Sequence, residues 1–100
     1  MAITVCVADQ CRPFAEAEER WMVQEVQRRR QAGERFCVTV TIQEPPLDLH
    51  LTTCPSGVGG RRANAQERRI LELWRKHHLS DPSWTHGNVV AFLAQLRREL

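Results

Sequence analysis

Apolar and polar residues alternate with period two in three short parts of the chain. These are residues 3–7, residues 36–42 and residues 47–51. Such alternation places every second side chain on the same face of a strand, so we predict three strands with one buried face each. Residues 43–46, Gln-Glu-Pro-Pro, separate the last two strands. The short connection favours an antiparallel pair, whereas the Pro-Pro step argues against a tight two-residue turn.

Helix spacing and helix end signals occupy three other segments. Pro13 suits a first helical position, glutamates follow it and a run of arginines comes later, which predicts a helix over residues 13–32. Asn64 and the glutamate three residues later form a capping-box pattern ahead of a second helix. Thr85 is placed to cap a third helix, whose apolar residues recur every three or four positions.

The order of these elements, β-α-β-β-α-α, predicts an α+β fold over residues 1–100 as a single domain. We expect a three-stranded mixed sheet packed with helices. The right-handed crossover rule favours a first strand that runs parallel to the second.

The composition indicates an ordinary globular chain, with 42% hydrophobic and 26% charged residues. No apolar run approaches the roughly 18 residues of a membrane span, and the N-terminus has no signal-peptide pattern. We therefore expect a cytoplasmic protein without membrane contact. In an oxidising compartment the four cysteines, Cys6, Cys11, Cys37 and Cys54, could form two disulfides. For the cytoplasm, reduced thiols are the better default.

The net charge of +2 is unevenly distributed. Residues 1–60 hold six arginines against eight acidic side chains, and residues 61–100 hold eight cationic side chains against four acidic ones. The C-terminal part is therefore the better candidate for contact with an anionic partner, although we favour a solvated helix surface over nucleic-acid binding there. No base-reading residues can be identified on the last helix, which argues against nucleic acid.

The most suggestive part of the sequence joins the third predicted strand to the second predicted helix. We call residues 54–62, Cys-Pro-Ser-Gly-Val-Gly-Gly-Arg-Arg, the glycine–arginine segment. Glycine-rich backbone before a helix can direct N–H groups at an anion, and arginines add charge and guanidinium donors. The candidate ligand-binding residues are Cys54, Ser56, Gly57, Gly59, Gly60, Arg61 and Arg62.

The same segment resembles the Cys-x5-Arg phosphate loop of cysteine phosphatases, which implies a thiolate nucleophile at Cys54. It departs from that pattern because Gly60 stands at the arginine position and Arg61 follows one residue late. No acid is evidently placed to protonate a leaving group. Because small misplacements of a phosphate clamp are costly, we do not assign this activity.

Residues 3–11 contain a strand and a Cys-x4-Cys spacing, followed by a predicted helix. This arrangement resembles the start of thioredoxin-like [2Fe–2S] ferredoxins. In that family a Cys-x3-Cys pair follows a later strand; Cys54 matches its first member, whereas Val58 stands at the second. The resemblance covers about the first 58 residues. It implies an iron–sulfur or thiol redox module that uses Cys6, Cys11 and Cys54.

No complete nucleophile–base set, cofactor motif or zinc-type cysteine spacing can be assembled from the sequence. The leading hypothesis is therefore a non-enzymatic accessory or binding domain without a cofactor. Its expected partner is another protein or a second copy of the chain, and its candidate ligand carries phosphate. The alternative is the redox module with a [2Fe–2S] cluster.

Overall fold

The computed structural model describes residues 3–54 and 64–100. Within these ranges the α+β class predicted from the sequence is confirmed. The elements in chain order are β1 (Ile3–Val7), β2 (Gln10–Pro13), a 3-10 turn (Glu16–Glu18), α1 (Glu19–Gln31), β3 (Val38–Glu44), β4 (Leu47–Thr52), α2 (Ala65–Lys76) and α3 (His86–Glu99).

The sheet has four strands in the order β2-β1-β3-β4, and every neighbouring pair is antiparallel. The predicted three-stranded mixed sheet and the β-α-β-β-α-α order are therefore wrong. The crossover rule applies to strands that are parallel. Here the β1–β2 hairpin reverses the chain once more before α1, so β3 returns alongside β1 in the opposite direction.

Strand β2 ends at Pro13, the residue that was predicted to begin the first helix, and α1 begins only at Glu19. Val7 pairs with Gln10 across a two-residue turn whose first residue, Ala8, has a positive φ of 56°. Pro13 ends this edge strand, where its missing N–H is tolerated. All four residues of β2 are exposed, so no apolar alternation marks the strand in the sequence.

The β3–β4 connection corrects a second expectation. Glu44 pairs with Leu47, so only Pro45 and Pro46 connect the two strands, and the peptide bond between them is cis. A tight two-residue turn was not expected at a Pro-Pro step. Type VI turns contain a cis proline at their third position, so a Pro-Pro step with a cis bond fits a two-residue connection.

The three α-helices cover one face of the sheet. Helix α1 packs against β1, α2 packs against β4, and α3 contacts both other helices. Trp74 on α2 meets Phe92 on α3 edge to face, with ring centroids 5.1 Å apart. The buried strand residues on this face are Ile3, Val5, Val7, Val38, Val40, Ile42, Leu47, Leu49 and Leu51. The opposite face is polar, and its central residues include Thr4, Thr39, Thr41 and His50.

Both predicted caps are confirmed. Asn64 caps α2 with a capping box completed by Glu67, and Thr85 caps α3 with a capping box completed by Asn88. In each box the cap side chain accepts from the backbone of the third helical residue, whose side chain accepts from the cap's own N–H. None of the helices in residues 3–54 and 64–100 is long and apolar enough to cross a bilayer.

Candidate functional site

The glycine–arginine segment is described only at its first residue, Cys54. The other predicted ligand-binding residues lie outside the described residues: Ser56, Gly57, Gly59, Gly60, Arg61 and Arg62. The described residues on each side of the segment show how the chain enters it and how it leaves.

The chain enters the segment from a fixed strand end. Cys54 forms a disulfide with Cys37, with 5.5 Å between the two Cα atoms. Its N–H donates to Thr52 Oγ1 at 3.2 Å. One residue earlier, Thr53 donates its N–H to the Val38 carbonyl at 3.0 Å and accepts from the Val38 N–H at its Oγ1, also at 3.0 Å. The β3–β4 pairing is thereby extended beyond β4, up to the cysteine.

The chain leaves the segment at a buried carboxylate. Glu67 is 6% exposed; its Oε1 accepts the Asn64 N–H at 2.9 Å and its Oε2 accepts the Asp48 N–H at 2.9 Å. Asp48 belongs to β4, so one side chain joins the helix cap to the sheet edge. Because both carboxylate oxygens accept backbone N–H groups, the cost of burying this charge is offset.

The first turn of α2 retains donors that the capping box does not use. The cap side chain accepts only from Glu67 N–H. Among the described residues, the N–H groups of Ala65 and Gln66 have no intrahelical acceptor because they lie in the first turn. The positive end of the helix dipole lies at the same place. An anion is the ligand that suits such donors.

The second predicted feature, the set of cysteines, lies on the polar face of the sheet. Cys6 and Cys11 are opposite each other in the β1–β2 register and form a disulfide, with 4.0 Å between the Cα atoms. Phe14 N–H donates to the Ile3 carbonyl, so the Ile3–Phe14 pair is a hydrogen-bonded one. Such pairs alternate with non-hydrogen-bonded pairs along an antiparallel ladder, and the cysteine pair, three steps further along, is therefore a non-hydrogen-bonded pair. The two chains approach most closely at positions that lack the ladder hydrogen bonds.

The two disulfides occupy neighbouring rows of the same face. Cys6 is opposite Thr39 in the β1–β3 register, and Cys37 precedes Thr39 by two residues, so their side chains share a face. Ala8 N–H donates to the Cys37 carbonyl, which continues the same register. All four cysteines are paired, and the expectation of reduced thiols is therefore wrong.

The described residues contain no preformed cluster of metal ligands. No group of three or more His, Cys, Asp or Glu side chains there is arranged to hold a metal ion. The sequence placed Cys6, Cys11 and Cys54 in one candidate site. The structure brings all three to one face but distributes them between two disulfides.

The acidic and basic residues of α1 form an ion-pair cluster. Glu25 Oε2 accepts from Arg28 at 2.8 Å and from Arg29 Nε at 3.1 Å, and Arg29 reaches Glu34 at 2.9 Å and Asp9 at 3.5 Å. The hydrogen bond from Arg28 is the main cause that lowers the pKa of Glu25, with Arg29 adding to it. Through the contact between Arg29 and Asp9, the cluster links α1 to the β1–β2 turn.

Two features were missed by sequence reasoning. The capping-box spacing identified Glu67, but nothing in the sequence indicated that its second oxygen binds β4. Arg30 lies over the Trp84 ring, 4.1 Å from the ring centroid, and donates to the Trp84 carbonyl. That contact joins the end of α1 to the start of α3 across 54 residues of sequence, and no local signal could have shown it.

No protein-family model, curated protein or solved structure matches this chain.

Proposed function

We propose that this chain is a non-enzymatic binding domain, and that its ligand is a phosphate-bearing anion held at the glycine–arginine segment. The observation that carries the proposal is that the described residues fix the chain at Cys54, the first residue of the segment, and at Asn64, two residues after its last. Cys54 is tied to β3 by a disulfide, and Asn64 is tied to β4 through Glu67. Fixed ends lower the conformational entropy that a binding segment loses when it closes on a ligand.

The chemistry of the segment supports an anion. Arg61 and Arg62 supply guanidinium groups, which form charge-assisted, bidentate hydrogen bonds with phosphate. Three glycines allow close approach of backbone N–H groups to a ligand. The N–H groups of Ala65 and Gln66, which have no intrahelical acceptor, follow at the start of α2, where the helix dipole favours negative charge.

The direct test is a titration of the oxidised protein with inorganic phosphate and pyrophosphate, followed by amide chemical shifts. Saturable shifts are expected at Gly57, Gly59 and Gly60 and at the first amides of α2. The variant Arg61→Gln/Arg62→Gln should weaken binding by about tenfold or more, since a hydrogen bond to a charged group contributes about 1.5–3 kcal/mol.

The matched control removes the same charge from the other end of α2. Arg75→Gln/Lys76→Gln should leave the pyrophosphate Kd within about twofold, because screening weakens interactions beyond about 10 Å. Equal weakening by both variants would reduce the site to general attraction by a cationic surface. An absence of saturable shifts at the three glycines would remove the proposal.

Cysteine pairing also bears on where the protein functions. Structural disulfides persist in oxidising compartments and are rare where glutathione and thioredoxin keep thiols reduced. We therefore propose an oxidising compartment in place of the cytoplasm expected from the sequence.

A protein partner or a second copy of the chain stays the proposed macromolecular partner, and sedimentation of the purified chain distinguishes self-association from a monomer.

A second candidate function is a thiol redox module, favoured by the placement of all four cysteines on one sheet face. Its iron–sulfur form requires that the disulfides be reduced first, because a cluster is held by thiolates. Reduced protein incubated anaerobically with iron and sulfide should then develop visible absorbance. A colourless product with four titratable thiols would exclude the cluster and leave only thiol–disulfide chemistry for this face.

A further inference from the structure

The two disulfides differ in their access to solvent and in their distance from the core. Strand β2 is an edge strand whose residues are all exposed, so Cys11 is exposed, whereas Cys6 on β1 is half-buried. Cys37 and Cys54 are both half-buried and adjoin the buried residues Val38 and Thr53. An attacking thiolate therefore has its clearest approach to the sulfur of Cys11.

We propose that Cys6–Cys11 is a thiol–disulfide exchange site, that Cys11 Sγ is the sulfur attacked, and that the physiological reactant is a dithiol protein. This inference rests on the second candidate function and specifies its reactive pair. The Cys37–Cys54 disulfide stays closed during the exchange and retains its structural role beside the glycine–arginine segment.

The exchange proceeds in two displacements that balance. A thiolate of the dithiol attacks Cys11 Sγ, the Cys6–Cys11 bond breaks, and its electron pair leaves on Cys6 Sγ, which takes a proton from water. The second thiol of the reactant, as thiolate, attacks the mixed disulfide and releases Cys11, which is protonated in turn. The dithiol is oxidised to its disulfide, and the cysteine pair of the chain gains two electrons and two protons.

The fold tolerates this opening because β2 contributes no residue to the core. The hairpin retains its other connections: Phe14 N–H donates to the Ile3 carbonyl at 2.9 Å, and Arg12 pairs with Glu18 at 3.4 Å. The core residues of β1 are held by β3 and the helices on the far face. Reduction of this pair therefore does not require unfolding.

The spacing of the rows keeps the exchange from spreading to the second disulfide. Cys6 and Cys37 are diagonal neighbours across β1 and β3, a relation that places Cα atoms about 7–8 Å apart in antiparallel pairs. Cysteines more than about 7 Å apart are not bridged without backbone movement. A Cys6 thiolate formed in the first step therefore has no native-like route to a bond with Cys37.

The test uses glutathione, a monothiol whose attack forms a mixed disulfide that acid quenching traps. The oxidised native protein is treated with reduced glutathione at neutral pH, quenched with acid, alkylated, and mapped by mass spectrometry. We expect glutathione on Cys11 and an alkylated Cys6, with adducts on Cys11 at least about tenfold more abundant than those on Cys37 or Cys54.

Two variants complete the experiment. Cys37→Ser/Cys54→Ser should retain the adduct on Cys11, and Cys6→Ser/Cys11→Ser should show no adduct under the same conditions. First attack on Cys37 or Cys54 would overturn the inference while leaving a redox module in place. Thiol release only in denaturant would overturn both. Both outcomes are independent of the anion-binding proposal, because that proposal is tested by chemical shifts of the oxidised protein.

Discussion

At the scale of single residues, Glu67 makes two contacts, one local and one distant in sequence: it caps α2 and it accepts a hydrogen bond from β4. The capping-box pattern identifies the contact with Asn64, because that contact is local and depends on a spacing of three. The contact with the Asp48 N–H depends on how α2 docks against β4, 19 residues apart in sequence. Local patterns carry no information on that docking. The sequence therefore identified the residue and only half of its role.

Replacement of Glu67 by alanine should be among the most destabilising single changes outside the apolar core. Two backbone N–H groups would lose a part-buried hydrogen bond to a carboxylate. A hydrogen bond to a charged group contributes about 1.5–3 kcal/mol, so we expect a loss of roughly 3 kcal/mol in the free energy of unfolding. Glu67→Gln keeps one oxygen acceptor and should lose about half as much. Urea unfolding of both variants measures the difference. Equal losses would show that the hydrogen bond kept by the glutamine oxygen contributes nothing to stability.

The Glu25 cluster predicts a dependence of stability on pH. The pKa of Glu25 is lowered from 4.5 on folding, chiefly by the hydrogen bond from Arg28. A carboxyl group with a lowered folded-state pKa stabilises the native state at pH above 4.5 and loses that contribution as pH falls through its folded-state pKa. The unfolding free energy should therefore decrease on acidification below pH 4.5, and less steeply in Glu25→Gln.

The control for this prediction is Glu72→Gln, which removes an equal charge from an exposed ion pair at 4.0 Å. Exposed pairs contribute little to stability, so this variant should follow the acid profile of the parent chain. If Glu25→Gln had the same acid slope as the parent chain, the cluster would have no role in acid stability.

At the scale of elements, the sequence predicted those whose apolar residues face the core and missed the one whose residues do not. Strands β1, β3 and β4 and helices α2 and α3 bury a regular stripe, so their periodicity was visible. Strand β2 buries nothing, and Pro13 within it suggested a helix start instead. Its position is set by pairing with β1 and by the Cys6–Cys11 bond. Both are non-local facts that composition and spacing left open.

The two disulfides should contribute differently to stability because they close chain segments of different length. Cys37–Cys54 spans 17 residues and Cys6–Cys11 spans five. Loop-closure entropy then gives a stabilisation of about 3 kcal/mol for the longer bridge and about 2 kcal/mol for the shorter. Urea unfolding of Cys37→Ser/Cys54→Ser and Cys6→Ser/Cys11→Ser tests the order; a larger loss in the second variant would contradict it.

At the scale of the whole molecule, the described residues place a helical layer on one face of a four-stranded sheet and polar residues and disulfides on the other. A chain of 100 residues builds only a modest core, and such domains have a total stability of about 5–15 kcal/mol. The two bridges together, at about 5 kcal/mol, then form a large share of that total. In the part of the chain that the structure describes, the disulfides therefore compensate for a core that is packed on one face of the sheet.

Reduction of both disulfides should therefore bring the protein close to its unfolding threshold. We expect excess tris(2-carboxyethyl)phosphine to lower Tm by more than about 15 °C, since about 1 kcal/mol corresponds to about 4–8 °C in a domain of this size. Glutathione, which is proposed to open only the Cys6–Cys11 bond, should lower it by less than half as much. Far-UV circular dichroism during heating measures both, with free thiols counted in parallel. An unchanged Tm with four free thiols would contradict the stabilising role of both disulfides and show that packing of the helices on the sheet is sufficient for stability.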